Sequence, residues 1–469
     1  MPTKDSGVRA GILWSVGLAA ATVGVQVGHT LLAARLLTPA EFGQFAISLT
    51  VVALVNYAVT AGLGVSIARS EEPTKAAEST ALVFALVGGL LFGTAAMLTA
   101  PFVAQHFGGD DRMIHLMRLL APYSLLTAVV IVGVSTLRRR GHYRRAALIE
   151  SGAIVLGLTI SATALISGLG IKSLAIGLVV GQATGAVLVL HVLSFPKYHS
   201  AAAKRLAYFA SHVGLQNFAH FCTYTSPIWI LGATSSLADV GNFSRAWALV
   251  TLPLGQVMLS VTKILQSAYP HAARDDRSPA AARQAARAFT VGVSLFLPLF
   301  CWAAFGAPLV VETLLGKDWA DAARVASFLV GFGFLNLLYT LSASACESYE
   351  LMRRIWIGIL VFATILTLVV ILGLRTGGEP LETVVGAVLI GQATALLPYV
   401  NFLVRSDAGR QDLKIGPRSS GIVVTTFLAA TFSTLQPLTA PWTPVVIVGF
   451  LAATYCGVTG LIIKRKGLI

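Results

Sequence analysis

The sequence predicts an all-α polytopic membrane protein of about fourteen transmembrane helices, arranged as two parallel six-helix repeats around a central cavity with an added C-terminal helix pair. Three observations predict it. Apolar residues make up 56% of the 469 residues and charged residues only 12%, far more apolar surface than a water-soluble core can absorb. These residues fall into runs of about 20, the length that crosses the hydrocarbon layer as a helix. Runs such as IWIGILVFATILTLVVILGL lack the alternation of a barrel strand. Finally, two short motifs recur at matching places in the order of the runs.

The spans lie at 11–36, 42–68, 78–104, 114–137, 146–168, 173–195, 208–233, 240–268, 286–311, 321–346, 354–374, 382–404, 420–436 and 443–463. The first follows a basic start, MPTKDSGVRAG. It is too long for a secretory signal peptide and lacks the small-x-small cleavage context, so it is read as the first membrane helix.

TPAEFGQF at 38–45 returns as SLADVGNF at 236–243, with Ala, Gly and Phe in register and Thr/Ser, Glu/Asp and Gln/Asn exchanged. GQAT at 181–184 returns at 391–394, in the sixth and twelfth spans. A longer connection in the second half, YPHAARDDRSPAAARQAAR against RSEEPTKAAE, absorbs the difference in spacing. Two halves follow, 1–200 and 201–405, each with six spans and therefore pointing the same way through the bilayer. Such halves leave a cleft at mid-membrane that opens to either side by rocking. The polar linker RSDAGRQDLKIGPRSSG and the last two spans, 406–469, belong to neither repeat.

The net charge of +14 does not indicate nucleic acid, because most of the 34 Lys and Arg fall in alternate loops and the tails. That bias places both termini in the cytoplasm. Arg35, Arg112, Arg118, Lys172, Lys317, Arg324 and Arg375 lie near the outer ends, and Arg245 and Lys263 inside the eighth span. Cys222, Cys301, Cys346 and Cys456 lie in apolar spans without paired or metal-ligand spacing and read as small buried hydrophobes.

No catalytic constellation is present. The 20 carboxylates sit in loops or near span ends, with Glu312 and Glu347 the deepest. GxxxxGK[ST], HExxH and CxxC are absent, so neither an ATP-using enzyme nor a resident metal or cofactor is expected.

The spans instead carry basic and amide groups. Arg245 and Lys263 are five helical turns apart, so they share a direction, with Gln256 within about 20° of the line. Ser260 and Ser267 lie close to it, giving the eighth span a cationic stripe about 27 Å long at 1.5 Å per residue. An ionised group at that depth needs a partner or a wet cavity. The second reading is snorkelling to the nearer headgroups.

His212, Gln216 and His220 share a face of the seventh span, with Asn217 beside them. Gln26, His29, Asn56, Asn336 and Tyr339 add polarity in the first, second and tenth spans. Lining a wet pathway and hydrogen-bonding between helices are both open to these groups. The loop LRRRGHYRRAALIES carries Arg138, Arg139, Arg140, Arg144 and Arg145, suited to anchoring at an anionic leaflet or to capturing phosphate headgroups.

RLLTPAEFGQFAISL, VGNFSRAWALVTLP leading to SAYP, and LRRRGHYRRAALIE resemble the Wzx-type polysaccharide transport proteins. These are lipid-linked oligosaccharide flippases of the multidrug/oligosaccharidyl-lipid/polysaccharide (MOP) exporter superfamily. The G-x-[FY]-S-R-A box at Gly241 to Ala246 is the most specific part of the likeness. The resemblance implies MATE-like lobes around a basic cavity in the bacterial inner membrane. There an undecaprenyl-diphosphate-linked glycan moves from the cytoplasmic to the outer leaflet during synthesis of O-antigen, capsule or exopolysaccharide. It also implies a polysaccharide polymerase and glycosyltransferases as partners besides the membrane lipids, with H+ or Na+ as the candidate coupling ion. A lipid II flippase shares this fold and chemistry. A cation-coupled drug exporter of the same superfamily needs a deep carboxylate that the spans lack, and a non-transporting scaffold has no use for the polar stripes.

Overall fold

The computed structural model describes residues 4–60, 75–193, 197–251, 277–349 and 351–405. The described residues form helices with short connections and no strand. In chain order these are α1 (Lys4–Leu36), α2 (Pro39–Thr60), α3 (Lys75–His106), α4 (Asp111–Arg139), α5 (Tyr143–Ile166), α6 (Lys172–Val189) and α7 (Ser200–Thr234). There follow α8 (237–251), α9 (Arg277–Leu315), a short 3-10 turn (Lys317–Trp319), α10 (Ala320–Ser348), α11 (Met352–Arg375) and α12 (Pro380–Arg405). Each matches one of the first twelve predicted spans; the expected spans at 420–436 and 443–463 lie outside the described residues. Eight of the described helices are long and apolar enough to cross a membrane, which makes the chain a multi-pass membrane protein.

Burial follows the chemistry of a lipid-facing bundle. On α3, Ala81, Ala85, Ala96, Ala100 and Ala104 are buried while Val87, Leu90, Leu91, Leu98 and Phe102 are exposed. Small residues inside let backbones approach, and large apolar residues outside meet acyl chains. The helices carry interior prolines, Pro101 in α3, Pro122 in α4, Pro227 in α7, Pro298 and Pro308 in α9 and Pro398 in α12. Neighbouring helices in a membrane bundle re-satisfy the backbone groups these residues free.

The chain divides into two compact units, Met1–Ser244 and Arg245–Ile469. Within the first, α4 packs on α2, α3, α5 and α6, α5 on α1 and α6, and α7 on α2 and α3. Within the second, α10 packs on α9, α11 and α12, and α11 on α12. The pairs α3–α4, α4–α5, α4–α6 and α5–α6 thus recur six helices later as α9–α10, α10–α11, α10–α12 and α11–α12. The repeated GQAT motif falls at equivalent pairs: Gly181 of α6 lies against Ala153 and Gly157 of α5, and Gly391 of α12 against Phe362 of α11.

The other repeated motif builds two helix starts. Thr38 and Glu41 form a capping box on α2: the Glu41 backbone N–H donates to Thr38 Oγ1 at 3.3 Å, and the Thr38 N–H to Glu41 Oε2 at 2.9 Å. Ser236 and Asp239 do the same on α8, at 3.1 and 3.4 Å. The exchanges Thr/Ser and Glu/Asp therefore preserve one device, which satisfies amide groups that a helix start otherwise leaves open.

The two capped starts then cross. A methyl group built on Gly43 would lie 2.7 Å from the Leu237 carbonyl carbon, and one on Gly241 2.6 Å from that of Pro39, with the carbonyl oxygens nearer still. Leu237 and Pro39 occupy matching places in the repeat, so the contact is symmetric. The hydrogen in place of each missing methyl points at a carbonyl oxygen, a weak C–H···O contact that only glycine permits at this range. Phe42, Phe45, Val240 and Phe243 are buried beside the crossing. Gln44 ties α2 to the α3–α4 connection by donating to Asp110 at 3.1 Å, where Asp110 also caps α4.

Candidate functional site

The groups proposed from sequence as a polar pathway divide into three sets. Gln256 and Lys263 lie outside the described residues, as do Ser260 and Ser267. His212, Gln216 and Asn217 are on the described backbone of α7, but their side chains are outside what is described. The others can be placed.

Arg245 is half-buried on α8, nine residues from the Ser236 cap and just past the glycine crossing. The α-helical segment that carries it is anchored by its neighbours. Ala246 is fully buried, and the Trp247 ring packs on Phe332 of α10 at 4.6 Å between centroids. These contacts pack the helix turn that carries the guanidinium against its neighbours.

On α7, His220 is exposed and stacks on Tyr224, with centroids 4.2 Å apart and planes 21° from parallel. Phe221, the next residue, stacks on Tyr57 of α2 at 4.4 Å. Asn56, adjacent to Tyr57, is buried. A polar imidazole at the surface of a membrane helix is costly against acyl chains unless water or a partner meets it. The structure thus brings together His220, Tyr224, Phe221 and Tyr57, an aromatic set of which the sequence reading had only the histidine. Trp229, two turns further along α7, anchors the helix on α2 by donating from Nε1 to Thr50 Oγ1 at 3.1 Å.

Three other groups take part in helix–helix contacts. His29 Nε2 shares a 2.8 Å hydrogen bond with Ser161 Oγ, joining α1 to α5, and Gln26 is half-buried one turn away on α1. Asn336 Oδ1 accepts from Gln392 Nε2 at 3.5 Å, joining α10 to α12 through the glutamine of the second GQAT motif. Tyr339 is buried and meets Tyr399 edge-on at 5.3 Å. For His29 and Asn336 the interhelical alternative is therefore realised in the structure.

The basic loop is partly committed to architecture. Arg138 pairs with Glu150 at 2.5 Å, and Arg140 with Glu78 at 2.7 Å while also donating to the Val192 carbonyl at 3.4 Å. Arg139 is half-buried, and Arg144 and Arg145 are exposed on the first turn of α5. The Arg140–Glu78 pair ties α3, α4 and the end of the α6 region together, and the Glu78 carboxylate side chain is only 8% exposed. Glu78→Ala is expected to lower stability by about 1–3 kcal/mol, less than a fully buried pair because Arg140 reaches solvent. Arg138→Ala, at an exposed pair, is expected to cost under about 1 kcal/mol. Thermal unfolding of both variants in detergent checks the ranking, and an equal effect would refute it.

Cys222, Cys301 and Cys346 form no disulfide, and no cluster of three or more His, Cys, Asp or Glu is placed to hold a metal among the described residues.

The chain matches the family model described as polysaccharide biosynthesis protein over residues 32–324. A curated relative, the succinoglycan biosynthesis transport protein ExoT of Rhizobium meliloti (strain 1021), is 26% identical over 329 residues. That match takes in 69% of this chain and 65% of the relative's own length, just under two thirds. Among solved structures, the lipid II flippase MurJ in an inward closed conformation superposes with a TM-score of 0.75 at 13% identity, covering 98% of this chain and 99% of that one. An inward-facing multidrug resistance MATE family transporter of the MOP superfamily gives 0.63 at 16% identity, covering 83% and 96%. The fold is therefore that of the MOP transporters, two of whose members bracket the flippase and exporter alternatives. Its sequence carries the narrower assignment: the chain belongs to the polysaccharide biosynthesis protein family.

Proposed function

We propose that the protein flips an undecaprenyl-diphosphate-linked oligosaccharide from the cytoplasmic to the outer leaflet of a bacterial inner membrane, for export of a cell-surface polysaccharide. The observation that carries the reading is Arg245, a guanidinium held half-buried on an anchored membrane helix in a chain of this family. A diphosphate with attached sugars cannot cross hydrocarbon, because its charges and hydroxyls lose hydration without replacement. A fixed guanidinium offers two parallel charge-assisted hydrogen bonds to phosphate, whereas exposed aromatic and imidazole groups suit a sugar. The lipid tail stays in the bilayer.

In this reading the lobes 1–200 and 201–405 rock to expose the route alternately, and the segment 406–469 is accessory. Both termini are cytoplasmic, the arginine-rich loop faces the side where substrate is loaded, and a proton or sodium gradient is the candidate drive. No resident cofactor is needed. A polymerase and glycosyltransferases act before or after it on the same glycan.

Reconstitution in liposomes tests the proposal. A short-chain undecaprenyl-diphosphate oligosaccharide is followed by its protection from an external modifying enzyme, with a labelled cationic dye in parallel. Movement of the lipid-linked sugar without the dye supports it; movement of the dye alone assigns the chain to drug export. Orientation is checked in cells: Arg145→Cys is expected to be shielded from an impermeant thiol reagent and Ala320→Cys to react, and the reverse pattern overturns the topology.

A further inference from the structure

The symmetric crossing of α2 and α8 has a consequence for transport. Both starts are capped by their own side chains, Thr38 with Glu41 and Ser236 with Asp239, so neither helix needs the other to satisfy its first amide groups. What joins them at Gly43 and Gly241 is close backbone approach and burial of flanking phenylalanines, without a covalent link. A joint of this kind can part and re-form without uncapping either helix start. Asn242, next to Gly241, is 3% exposed, and its Oδ1 has no hydrogen-bond partner among the described residues. A buried amide oxygen in that state costs free energy that hydration on parting would recover.

We propose that Gly43 and Gly241 are the paired positioning residues of a separable seal, which closes the outer end of the route while substrate loads from the cytoplasm and opens to release it. The proposal rests on the flippase reading and on its orientation, which places residues 36–40 and 235–239 at the outer face. It also accounts for the 198-residue echo. A two-fold joint needs the same glycine, cap and aromatic from each repeat, because each glycine must receive the other's first-turn carbonyl. An added methyl on either side meets backbone rather than a movable side chain, so it wedges the whole joint open. One substitution is enough, and a second adds little.

The test uses the full chain in liposomes, with Cys222, Cys301, Cys346 and Cys456 replaced by serine and a reporter, Ala46→Cys, introduced. Ala46 is buried 6% exposed on α2, one turn inward of Gly43 and on the same helical face. An impermeant maleimide added outside is expected to label the reporter slowly in the otherwise unaltered protein. Labelling is expected to be at least tenfold faster with Gly43→Ala, Gly241→Ala or both, and flipping of the undecaprenyl-diphosphate oligosaccharide at least tenfold slower. Gly152→Ala, a helical glycine with open space around it, serves as the control that leaves both rates unchanged.

Labelling unaffected by either glycine variant at normal abundance would refute the seal. If the variants do not fold, the glycine-intact reporter decides: outside labelling must rise when substrate drives turnover, and a flat response overturns the proposal. If the unaltered protein moves no lipid-linked sugar yet the glycine variants still accelerate labelling, the joint stands and the flippase reading fails.

Discussion

Arg245→Ala is expected to lower the rate of lipid-linked oligosaccharide transport by roughly 10- to 100-fold while the folded protein accumulates normally. The magnitude is that of one lost charge-assisted hydrogen bond, about 1.5–3 kcal/mol. A structural role predicts the opposite pairing of effects. If Arg245 serves chiefly to bind substrate, its removal is expected to change thermal stability little, because relief of its desolvation cost offsets the contacts that it loses. Arg245→Lys keeps the charge and loses the planar fork, and is expected to fall between wild type and alanine. Initial transport rates in liposomes, measured with thermal unfolding of the same preparations, separate the cases. Loss of stability with transport per folded molecule intact would make Arg245 a packing or headgroup anchor, as snorkelling requires.

The second large effect concerns the repeated GQAT motif, where identical residues are expected to respond differently. Gly181→Ala should destabilise the protein by about 1–3 kcal/mol, the usual cost of overpacking. Its added methyl meets the Ala153 carbonyl oxygen at 2.7 Å and the Gly157 Cα at 3.2 Å, both backbone atoms that yield only if α5 and α6 separate. Gly177 and Gly185 continue the same stripe on α6 at four-residue intervals, opposite Ala153, Gly157 and Ser161 on α5. That is the small-residue packing by which membrane helices approach closely. Gly391→Ala meets nothing nearer than 3.4 Å, in Phe362, an ordinary contact. Alanine is also favoured over glycine in a helix interior by about 0.5–1 kcal/mol, so this change is expected to be neutral or mildly stabilising. Comparison of unfolding temperatures in one detergent tests the contrast, and equal losses would show that the two repeats pack alike here.

The course of the helices was readable because it is written locally. Hydropathy over about 20 residues marks each crossing, and the capping boxes at Thr38 and Ser236 lie within four residues of sequence. The echo between TPAEFGQF and SLADVGNF was visible as a repeat, and two of its exchanged pairs, Thr38/Ser236 and Glu41/Asp239, are the caps themselves. The use to which Gly43 and Gly241 are put was not visible, since neither motif contains any sign that it meets its own copy. Glu78, 62 residues from Arg140, is similar. It reads as an ordinary loop-end carboxylate until the fold brings a guanidinium to it.

The candidate site divides along the same line. Sequence spacing alone places Arg245 among apolar residues on a membrane helix, which is enough to raise the question of its charge. It does not distinguish His29, committed to Ser161 of α5 from 132 residues away, from His220, which is exposed and stacked on Tyr224. Both are histidines in apolar spans, and a histidine's partner is set by which helix passes it. By itself the sequence determined that the chain enters a membrane, where its helices run and how they begin, because those follow from interactions within a turn or from transfer into lipid. Only the tertiary structure decided which polar groups hold helices together and where two glycines let backbones touch. Those outcomes depend on distances between residues that the chain order leaves unconstrained.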